Sequence, residues 1–292
     1  MKTAAINAIA TLTSVSFDRW VQLQDPCGQG ACTFDLRGVK LITPAALVQL
    51  AAACHALTRD GRRPLILVGN SMILSYLERA GFIAAVRSAA RFSPPMTVAG
   101  SKHRRGKSQM LIEVTKIQAG TELPAVLDKV ITVLSTQLKY QKRDAYDVAI
   151  AISEVAQNSF DHNHGDTCGF LAMQVYRGHR EGDRFLEIGI ADYGAGLAAT
   201  LRRNPKSPSL SSDLDAIISA TKLGTSEYDD PTRGTGLYHL LDKAYALEGT
   251  VQIRTGAAKA RFRMDKKQGW GFSVYPLRGV QIALELRAKE RA

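Results

Sequence analysis

Three short polar motifs follow one another in the second half of the chain, each beside an apolar segment that predicts a helix or a strand. The first is Glu154 with Asn158, the second is Asp192 with Gly194 and Gly196, and the third is Arg233-Gly234-Thr235-Gly236-Leu237. Carboxylate and amide oxygens can hold water and a hard cation, and glycines let the backbone pass close to a ring or a phosphate. The ordered set predicts a nucleotide pocket, whereas each motif alone would be weak evidence.

The first motif lies on a predicted helix from Asp144 to His162. Val148 and Ile152 belong to its buried apolar stripe, and Glu154 and Asn158 stand one turn apart on another face. A carboxylate in such a place can polarise a water or a hydroxyl for attack on phosphorus, and an amide oxygen suits Mg²⁺. For this helix considered alone, a solvated polar face is the favoured interpretation.

The second and third motifs are attached to a predicted strand and a predicted helix. Phe185 to Ala191 is an apolar strand that places Asp192 at its end, where the carboxylate can accept a hydrogen bond from an exocyclic amine. The third motif opens an apolar helix at Leu237, whose free amides and positive dipole end can meet phosphate oxygens. The segment between them, Asn204 to Thr232 (the lid segment), is rich in Pro, Ser and Asp, and we expect it to act as a mobile lid.

In these motifs the chain resembles the GHKL superfamily, the ATP-binding domain shared by DNA gyrase, the heat-shock chaperone, histidine kinases and anti-sigma serine kinases. The matching residues are Glu154 and Asn158 in its N box, Asp192, Gly194 and Gly196 in its G1 box, and Gly234, Thr235, Gly236 and Leu237 in its G2 box. The resemblance implies ATP and Mg²⁺ as cofactors, with Asn158 as the metal ligand and Asp192 recognising adenine. It also implies that the G2 loop contacts phosphates and that Glu154 is the general base.

Two further groups of polar residues leave alternatives open. The P-loop pattern is absent, so the basic partner of the phosphates has to be another residue. Arg233 and Lys222 are the candidates, and each is equally well explained as a solvated lid charge. Asp161, His162 and His164 resemble a metal cluster, but no fourth ligand has suitable spacing, and a polar helix end is the favoured interpretation.

The first 93 residues alternate predicted strands and helices, a pattern that favours a sheet covered by helices. The predicted elements are a strand at Cys32 to Leu36, a helix from Pro44 to Leu57 with Thr43 as its N-cap, a strand at Pro64 to Val68, and a second helix capped by Asn70 and ending at Gly81.

This segment resembles a STAS domain, the fold of anti-sigma factor antagonists. The resemblance rests on Phe34 to Thr43, the helix that follows, and Leu77 to Phe82. Where that family carries a phosphorylatable serine, this chain has Ala45, which has no hydroxyl. The first segment therefore cannot be phosphorylated at that position.

Together these observations predict an α/β protein of two domains. Residues 1–93 form a STAS-like sheet with helices, and residues 94–108 form a basic linker. Residues 109–292 form a GHKL-type ATP-binding domain, expected to be a two-layer sandwich of a mixed sheet and helices.

Charge and composition narrow the range of partners. The 292 residues carry a formal net charge of +11, with basic clusters at Lys102 to Lys107 and Lys259 to Lys267. No aromatic-interleaved nucleic-acid motif accompanies either cluster, so nucleic acid stays open as a partner but is not favoured over a solvated linker and hairpin. No apolar run is long enough for a membrane helix, and no convincing signal peptide is present. We expect a cytoplasmic protein with no membrane partner and with reduced cysteines.

The expected function is that of a Mg²⁺-dependent ATP-binding protein, an ATPase-type switch that couples its nucleotide state to protein interactions. The alternatives are a serine/threonine protein kinase of the anti-sigma type acting on a separate protein, and a non-hydrolysing ATP-dependent interaction module. Glu154 argues against the last of these. We expect a regulatory protein partner, which the sequence does not identify. The sequence is also compatible with a homodimer.

Overall fold

The computed structural model describes residues 9–95, 110–118, 123–161, 168–178, 183–204, 209–222, 224–225 and 235–289. Helices and strands are intermixed along the chain, and the predicted α/β class is confirmed. Within the described residues, no helix combines the length and the apolar character needed to cross a lipid bilayer.

The first half is a unit of short parallel strands and helices. In chain order its elements are β1 (Thr11–Leu12), α1 (Phe17–Gln24), β2 (Thr33–Asp35), β3 (Leu41–Ile42), α2 (Pro44–Arg59), β4 (Leu65–Leu67), α3 (Ser71–Arg79), α4 (Phe82–Val86) and β5 (Arg91–Ser93). The strands form a three-stranded sheet ordered β2–β4–β5 and a two-stranded sheet of β1 and β3, and every pairing is parallel. All four elements predicted from the sequence are present, with bounds that differ by one or two residues.

Local sequence signals explain where two of these helices begin. α2 begins at Pro44. Proline has no backbone N–H, and in the first turn of a helix that group would have no intrahelical acceptor, so the residue is well suited to this position. The side-chain oxygen of Asn70 caps α3 by accepting a backbone N–H at 2.8 Å. Thr43 is the N-cap residue of α2, as predicted, but its side chain makes no capping hydrogen bond. Instead, the carboxylate of Glu187, from the second half of the chain, accepts the Ala45 N–H at 3.0 Å.

The second half is built on one five-stranded sheet. Its elements are β6 (Met110–Ile117), α5 (Leu123–Thr136), α6 (Lys142–Asp161), β7 (Gly169–Arg177), β8 (Arg184–Asp192), α7 (Leu197–Leu201), α8 (Asp213–Ala220), α9 (Gly236–Ala246), β9 (Thr250–Arg263) and β10 (Gln268–Arg287). The strand order is β6–β7–β8–β10–β9. All four pairings are antiparallel, so the expectation of a mixed sheet was wrong. The helices between β8 and β9 do not produce a parallel crossover because β9 pairs with β10 rather than with β8.

Both faces of the five-stranded sheet are covered. On one face, apolar residues of α5, α6 and α9 form a core with Leu171, Ile188 and Ile282. On the other face, α2 packs against β7 and β8, and Phe170 and Ala191 belong to the same buried cluster as the apolar residues of the first half. The second half alone is a layer of helices on an antiparallel sheet, and α2 adds a third layer on the other face. The two halves therefore share a core.

A glycine allows α2 to approach the sheet this closely. A Cβ atom built on Gly189 of β8 would lie 2.5 Å from the Cα of Ala45 and 2.8 Å from its backbone nitrogen. Backbone atoms cannot move aside as a flexible side chain can. Any larger residue at position 189 would therefore push the start of α2 away from the sheet.

Buried charges also join the two halves. The guanidinium of Arg254, on β9, is 1% exposed and donates from Nε to Asp18 Oδ1 of α1 at 2.7 Å. The other carboxylate oxygen of Asp18 accepts from Lys259 Nζ, and Arg254 Nη1 donates to Gln281 Oε1 at 2.9 Å. Lys259 is thus buried in an ion pair, which corrects the expectation that the whole segment from Lys259 to Lys267 is a solvated hairpin. The sequence could not indicate this because Asp18 lies far away along the chain.

Candidate functional site

A cleft opens where the end of β8 meets the helices of the second half. It holds about 500 Å³ of empty space, a volume that includes the open solvent at its mouth. Most of its wall is apolar, and a few polar groups are placed on it. The lining residues are Val155, Asn158, Ile190, Asp192, Gly196, Leu197, Thr200, Leu237, Val280 and Ile282. Members of all three sequence motifs thus line one cleft.

Asp192 is the last residue of β8 and the most buried charged group in this cleft. Its side chain is close to fully enclosed, and Oδ1 accepts the Gly194 N–H at 2.8 Å. Burial raises the pKa of Asp192 to about 6, against the lowering effect of hydrogen bonds from the backbone of Gly194 and Val280. A carboxylate in a cleft whose pKa is raised this far by burial is typical of a functional site.

Two glycines with positive φ angles shape the wall beside Asp192. Gly196 has φ +83°, and a Cβ there would lie 2.8 Å from Thr255 Oγ1. Gly279 has φ +86°, and a Cβ there would lie 2.0 Å from the carbonyl oxygen of Asp192. The three sequence motifs do not include Gly279. An isolated glycine in a strand signals a bulge or a close backbone approach, and the β9–β10 register shifts between Leu277 and Val280.

Glu154 and Asn158 share one side of α6, as predicted, but only Asn158 lines the cleft. The carboxylate of Glu154 lies beside the start of α9, where Oε2 is 3.0 Å from His239 Nδ1. The same oxygen accepts from Thr235 Oγ1 at 3.4 Å. Both side chains of the Glu154–His239 pair stay partly open to solvent.

Gly236 brings the first and third motifs together. A Cβ built on it would lie 3.1 Å from Glu154 Cβ and 3.3 Å from Asn158 Nδ2, so α9 begins in direct contact with α6. This explains the glycine by helix packing, in addition to the predicted approach to phosphates. Leu237, the next residue, is buried and lines the cleft.

His239 is a residue of this site that sequence reasoning missed. It lies on the first turn of α9, one helical turn after Thr235, and both of these residues contact Glu154. Helical spacing from the third motif would have placed it on the same face. The signal was overlooked because the sequence does not show that α9 packs against α6.

Several predicted residues lie elsewhere. Arg233, Gly234, His162 and His164 lie outside the described residues. Lys222 is exposed and is not among the residues that line the cleft. In the part of the chain that the structure describes, no three His, Cys, Asp or Glu side chains are grouped as a metal site.

The lid segment contains a packed helix. α8 begins after Ser212, whose hydroxyl accepts the Asp215 N–H, and its residues Ala216 and Ile217 are fully buried. Asp213 Oδ2 also accepts the Ala257 N–H of β9 at 2.8 Å. The prediction of a lid along the whole segment did not foresee this helix, because the Ser and Asp residues that suggested a loop are its N-terminal cap.

Comparison with known protein families and with curated proteins found no match. The functional conclusion therefore rests on the geometry of the cleft. Its decisive features are a buried carboxylate and an amide that both line the cleft, and a carboxylate–imidazole pair at the start of α9.

Proposed function

We propose that this chain binds ATP with Mg²⁺ in the cleft and acts as an ATPase-type regulatory switch of the GHKL kind, with a STAS-like unit as its first half. The observation that carries the proposal is the meeting of Asn158, Asp192, Gly196 and Leu237 on one cleft. These residues come from all three motifs. Nothing in the order of the sequence alone requires that they meet.

The cleft fits an adenine nucleotide chemically. Ile190, Leu197 and Ile282 offer apolar surface for a flat ring, and the carboxylate of Asp192 is an acceptor for its exocyclic amine. The amide oxygen of Asn158 is a hard ligand that can complete the shell of a Mg²⁺ ion held by phosphates. When bound, this ion would neutralise phosphate charge.

Glu154 and His239 supply the groups for hydrolysis. The carboxylate of Glu154 takes the proton of the water that attacks the terminal phosphorus, and ADP and phosphate leave. His239 Nδ1, at 3.0 Å, and Thr235 Oγ1 hold that carboxylate in one orientation. His239 acts through Glu154 and is a positioning residue.

The switch function is supported by the path from the cleft to the first half. Asp192 lines the cleft, and the next residue, Tyr193, packs its ring on His55 of α2. The start of α2 is also held by Glu187 of the same strand, β8. A change at the end of β8 therefore reaches the first half directly.

Protein phosphorylation is the second candidate function, because a protein hydroxyl can replace water beside the same carboxylate. The first half is not its substrate at the STAS position. Ala45 has no hydroxyl, is fully buried, and uses its N–H to bind Glu187. A kinase function would need a separate substrate protein.

Titration calorimetry with ATP and with GTP, each with and without Mg²⁺, tests binding. We expect ATP to bind in preference to GTP, which offers no exocyclic amine at the same ring position. Incubation with γ-labelled ATP, with and without cell lysate, then separates the functions. Release of free phosphate supports the switch, and a labelled protein supports the kinase. If neither product forms, the chain binds ATP without turning it over. Gln157→Ala, an exposed change beside Asn158 on α6, serves as the matched control.

A further inference from the structure

The hairpin of β9 and β10 extends beyond the sheet as a two-stranded arm, residues 258–263 and 268–273 (the arm). β8 pairs with β10 only from Gln281 to Arg287, so the two strands of the arm pair with no further strand among the residues that the structure describes. A short turn, Met264–Lys266, joins its strands. The proposed nucleotide chemistry does not use this part of the molecule.

The two faces of the arm differ sharply. One face carries Gly271, Ala260 and Phe262, and a Cβ built on Gly271 would lie 2.7 Å from Leu214 of α8. That face is therefore covered by α8. On the other face stand Trp270 and Phe272, which are 41% and 45% exposed. Large aromatic rings so open to solvent on a single face indicate a contact surface rather than a core.

The strand register places cations beside these rings. Trp270 pairs with Arg261, and Phe272 pairs with Lys259, so each ring shares its face with a basic residue of the opposite strand. Residues 258–273 contain five cations and one carboxylate. Of these charges, Lys259 binds Asp18 and Arg263 binds Asp265, whereas Lys266 and Lys267 are exposed in and after the turn.

Arg261 adds an independent observation. Its Nε atom is buried and, among the described residues, has no hydrogen-bond partner. A buried guanidinium donor without an acceptor is costly, so an acceptor reached by a turn of this side chain would relieve that cost. Phosphate oxygens are the acceptors that guanidinium groups match best.

We propose that this face of the arm binds single-stranded nucleic acid, with bases stacked on Trp270 and Phe272 and phosphates held by Arg261, Lys266 and Lys267. Residues two apart on one strand stand about 7 Å apart, so the rings can take neighbouring unstacked bases. Gly269, Gly271 and Ser273 alternate with the rings and belong to the opposite face of the strand. Sheet aromatics beside basic residues are a general platform for unpaired bases.

The same geometry disfavours two other anionic partners. In a duplex the base faces are already stacked, and α8 on the far side of the arm prevents the ribbon from entering a groove as a free element. A lipid surface needs a broad apolar face, but the cross-strand partners of the two rings are the basic residues Arg261 and Lys259. The sequence alone did not suggest this site because the aromatic residues follow the basic run, and only the strand register places them beside it.

The test uses the full chain and a fluorescein-labelled single-stranded oligothymidylate of about 12 nucleotides, measured by anisotropy at low salt. Trp270→Ala and Phe272→Ala should each weaken binding about 5- to 100-fold, since one stacked base contributes about 1–3 kcal/mol. Trp270→Phe should keep most of the affinity. Tyr245→Ala, an equally exposed ring on α9, is the matched control and should bind as the unchanged chain does.

Two further measurements separate stacking from general charge attraction. The chain has two tryptophans and Trp20 is fully buried, so quenching of the emission of Trp270 on binding reports a base on its ring. Lys266→Gln with Lys267→Gln should lower the slope of log affinity against log salt by about 1.4, or 0.7 for each phosphate contact. This pair also tests the site if a ring variant fails to fold.

The proposal is overturned by any of three results. These are no binding of the oligonucleotide, equal affinity in the folded ring variants and the control, and displacement of the oligonucleotide by its own duplex at equal strand concentration. Binding to phosphatidylserine vesicles that depends on the rings, with no binding of the oligonucleotide, would assign the arm to a membrane surface instead.

Discussion

Tyr193, on the loop after β8, stacks on His55 of α2 with ring centroids 5.2 Å apart and planes at 27°. His55 Nε2 in turn lies 2.9 Å from the carbonyl oxygen of Ala85, and burial lowers the pKa of His55, so it is neutral near pH 7. The residue before Tyr193 is Asp192, on the wall of the cleft. One peptide bond therefore separates a residue facing the proposed adenine site from one packed on the first half.

Asp192→Asn should weaken ATP binding at least about tenfold, because a neutral amide replaces the charged acceptor of the adenine amine and its NH2 group can only donate, a change worth roughly 1.5–3 kcal/mol. In the unchanged chain, affinity should fall as the pH is lowered through about 6, where Asp192 takes up its proton. Calorimetry between pH 5 and pH 8 measures both effects. Unchanged affinity in the folded variant would remove Asp192 from the site.

The same variant makes a second, opposite prediction about stability. Burial raises the pKa of Asp192 from its ordinary value of 3.8 to about 6, so the folded chain holds this proton more tightly than the unfolded chain. Its contribution to the free energy of unfolding is complete below pH 3.8 and is lost as the pH rises through 6. Asp192→Asn should remove this pH dependence, and its melting temperature relative to the unchanged chain should be higher at pH 8 than at pH 4. An identical pH profile would contradict the burial of a charged group here.

We expect variants of Asn158 to affect metal binding and variants of Glu154 to affect the rate of hydrolysis. Asn158→Ala should weaken ATP binding mainly in the presence of Mg²⁺, because its proposed role is ligation. Glu154→Gln should leave binding almost intact and slow phosphate release about 10²- to 10⁴-fold, the range for a positioned general base. His239→Ala should slow the reaction less than Glu154→Gln, and Gln157→Ala should not slow it. Wild-type turnover in Glu154→Gln would show that the base is another residue.

The elements of this fold could be predicted where one short stretch of sequence decides them. Pro44 and Asn70 mark helix starts, and the strand ending at Asp192 follows from its apolar run. The contacts that could not be predicted join residues that are far apart in the chain. Glu187 caps α2 from 142 positions away, and Asp18 neutralises Arg254 from 236 positions away.

The candidate site shows the same division. The first, second and third motifs were found from residue type and spacing, and their members line one cleft or contact its edge. His239 and Gly279 were missed, because their roles depend on how α9 packs on α6 and how β10 passes Asp192. Such contacts carry no periodic signal along the chain.

Asp18→Ala should strongly destabilise the chain. It leaves Arg254 and Lys259 without their shared carboxylate in a buried contact, and breaking a buried pair in this way costs about 3–5 kcal/mol. Urea unfolding monitored by circular dichroism measures the loss. Asp265→Ala, which removes the partner of Arg263 at the exposed turn, is the control and should change the midpoint far less. Equal effects of the two variants would show that the buried pair does not hold the halves together.

Gly189→Ala tests the contact between α2 and the sheet. The added Cβ would meet backbone atoms of Ala45 at 2.5 Å, so we expect a loss of about 1–3 kcal/mol, typical of overpacking. Gly30→Ala is the matched control, because a Cβ there meets nothing within 4 Å. Urea midpoints of the two variants give the comparison. A neutral Gly189→Ala would mean that α2 is not seated on β8.

The last prediction concerns coupling between the nucleotide and the first half. If the cleft binds ATP, the end of β8 should become more ordered, and the change should pass through Tyr193 and Glu187 to α2. ATP with Mg²⁺ should then slow amide exchange in the lid segment and alter it in α2, and ADP should do so less, because a ligand shifts an equilibrium only by its differential affinity. Tyr193→Ala should keep the effect in the lid segment and reduce it in α2. Exchange that changes only in the second half would mean that the first half is a passive docking unit, and an unaltered α2 response in Tyr193→Ala would assign the coupling to Glu187 alone.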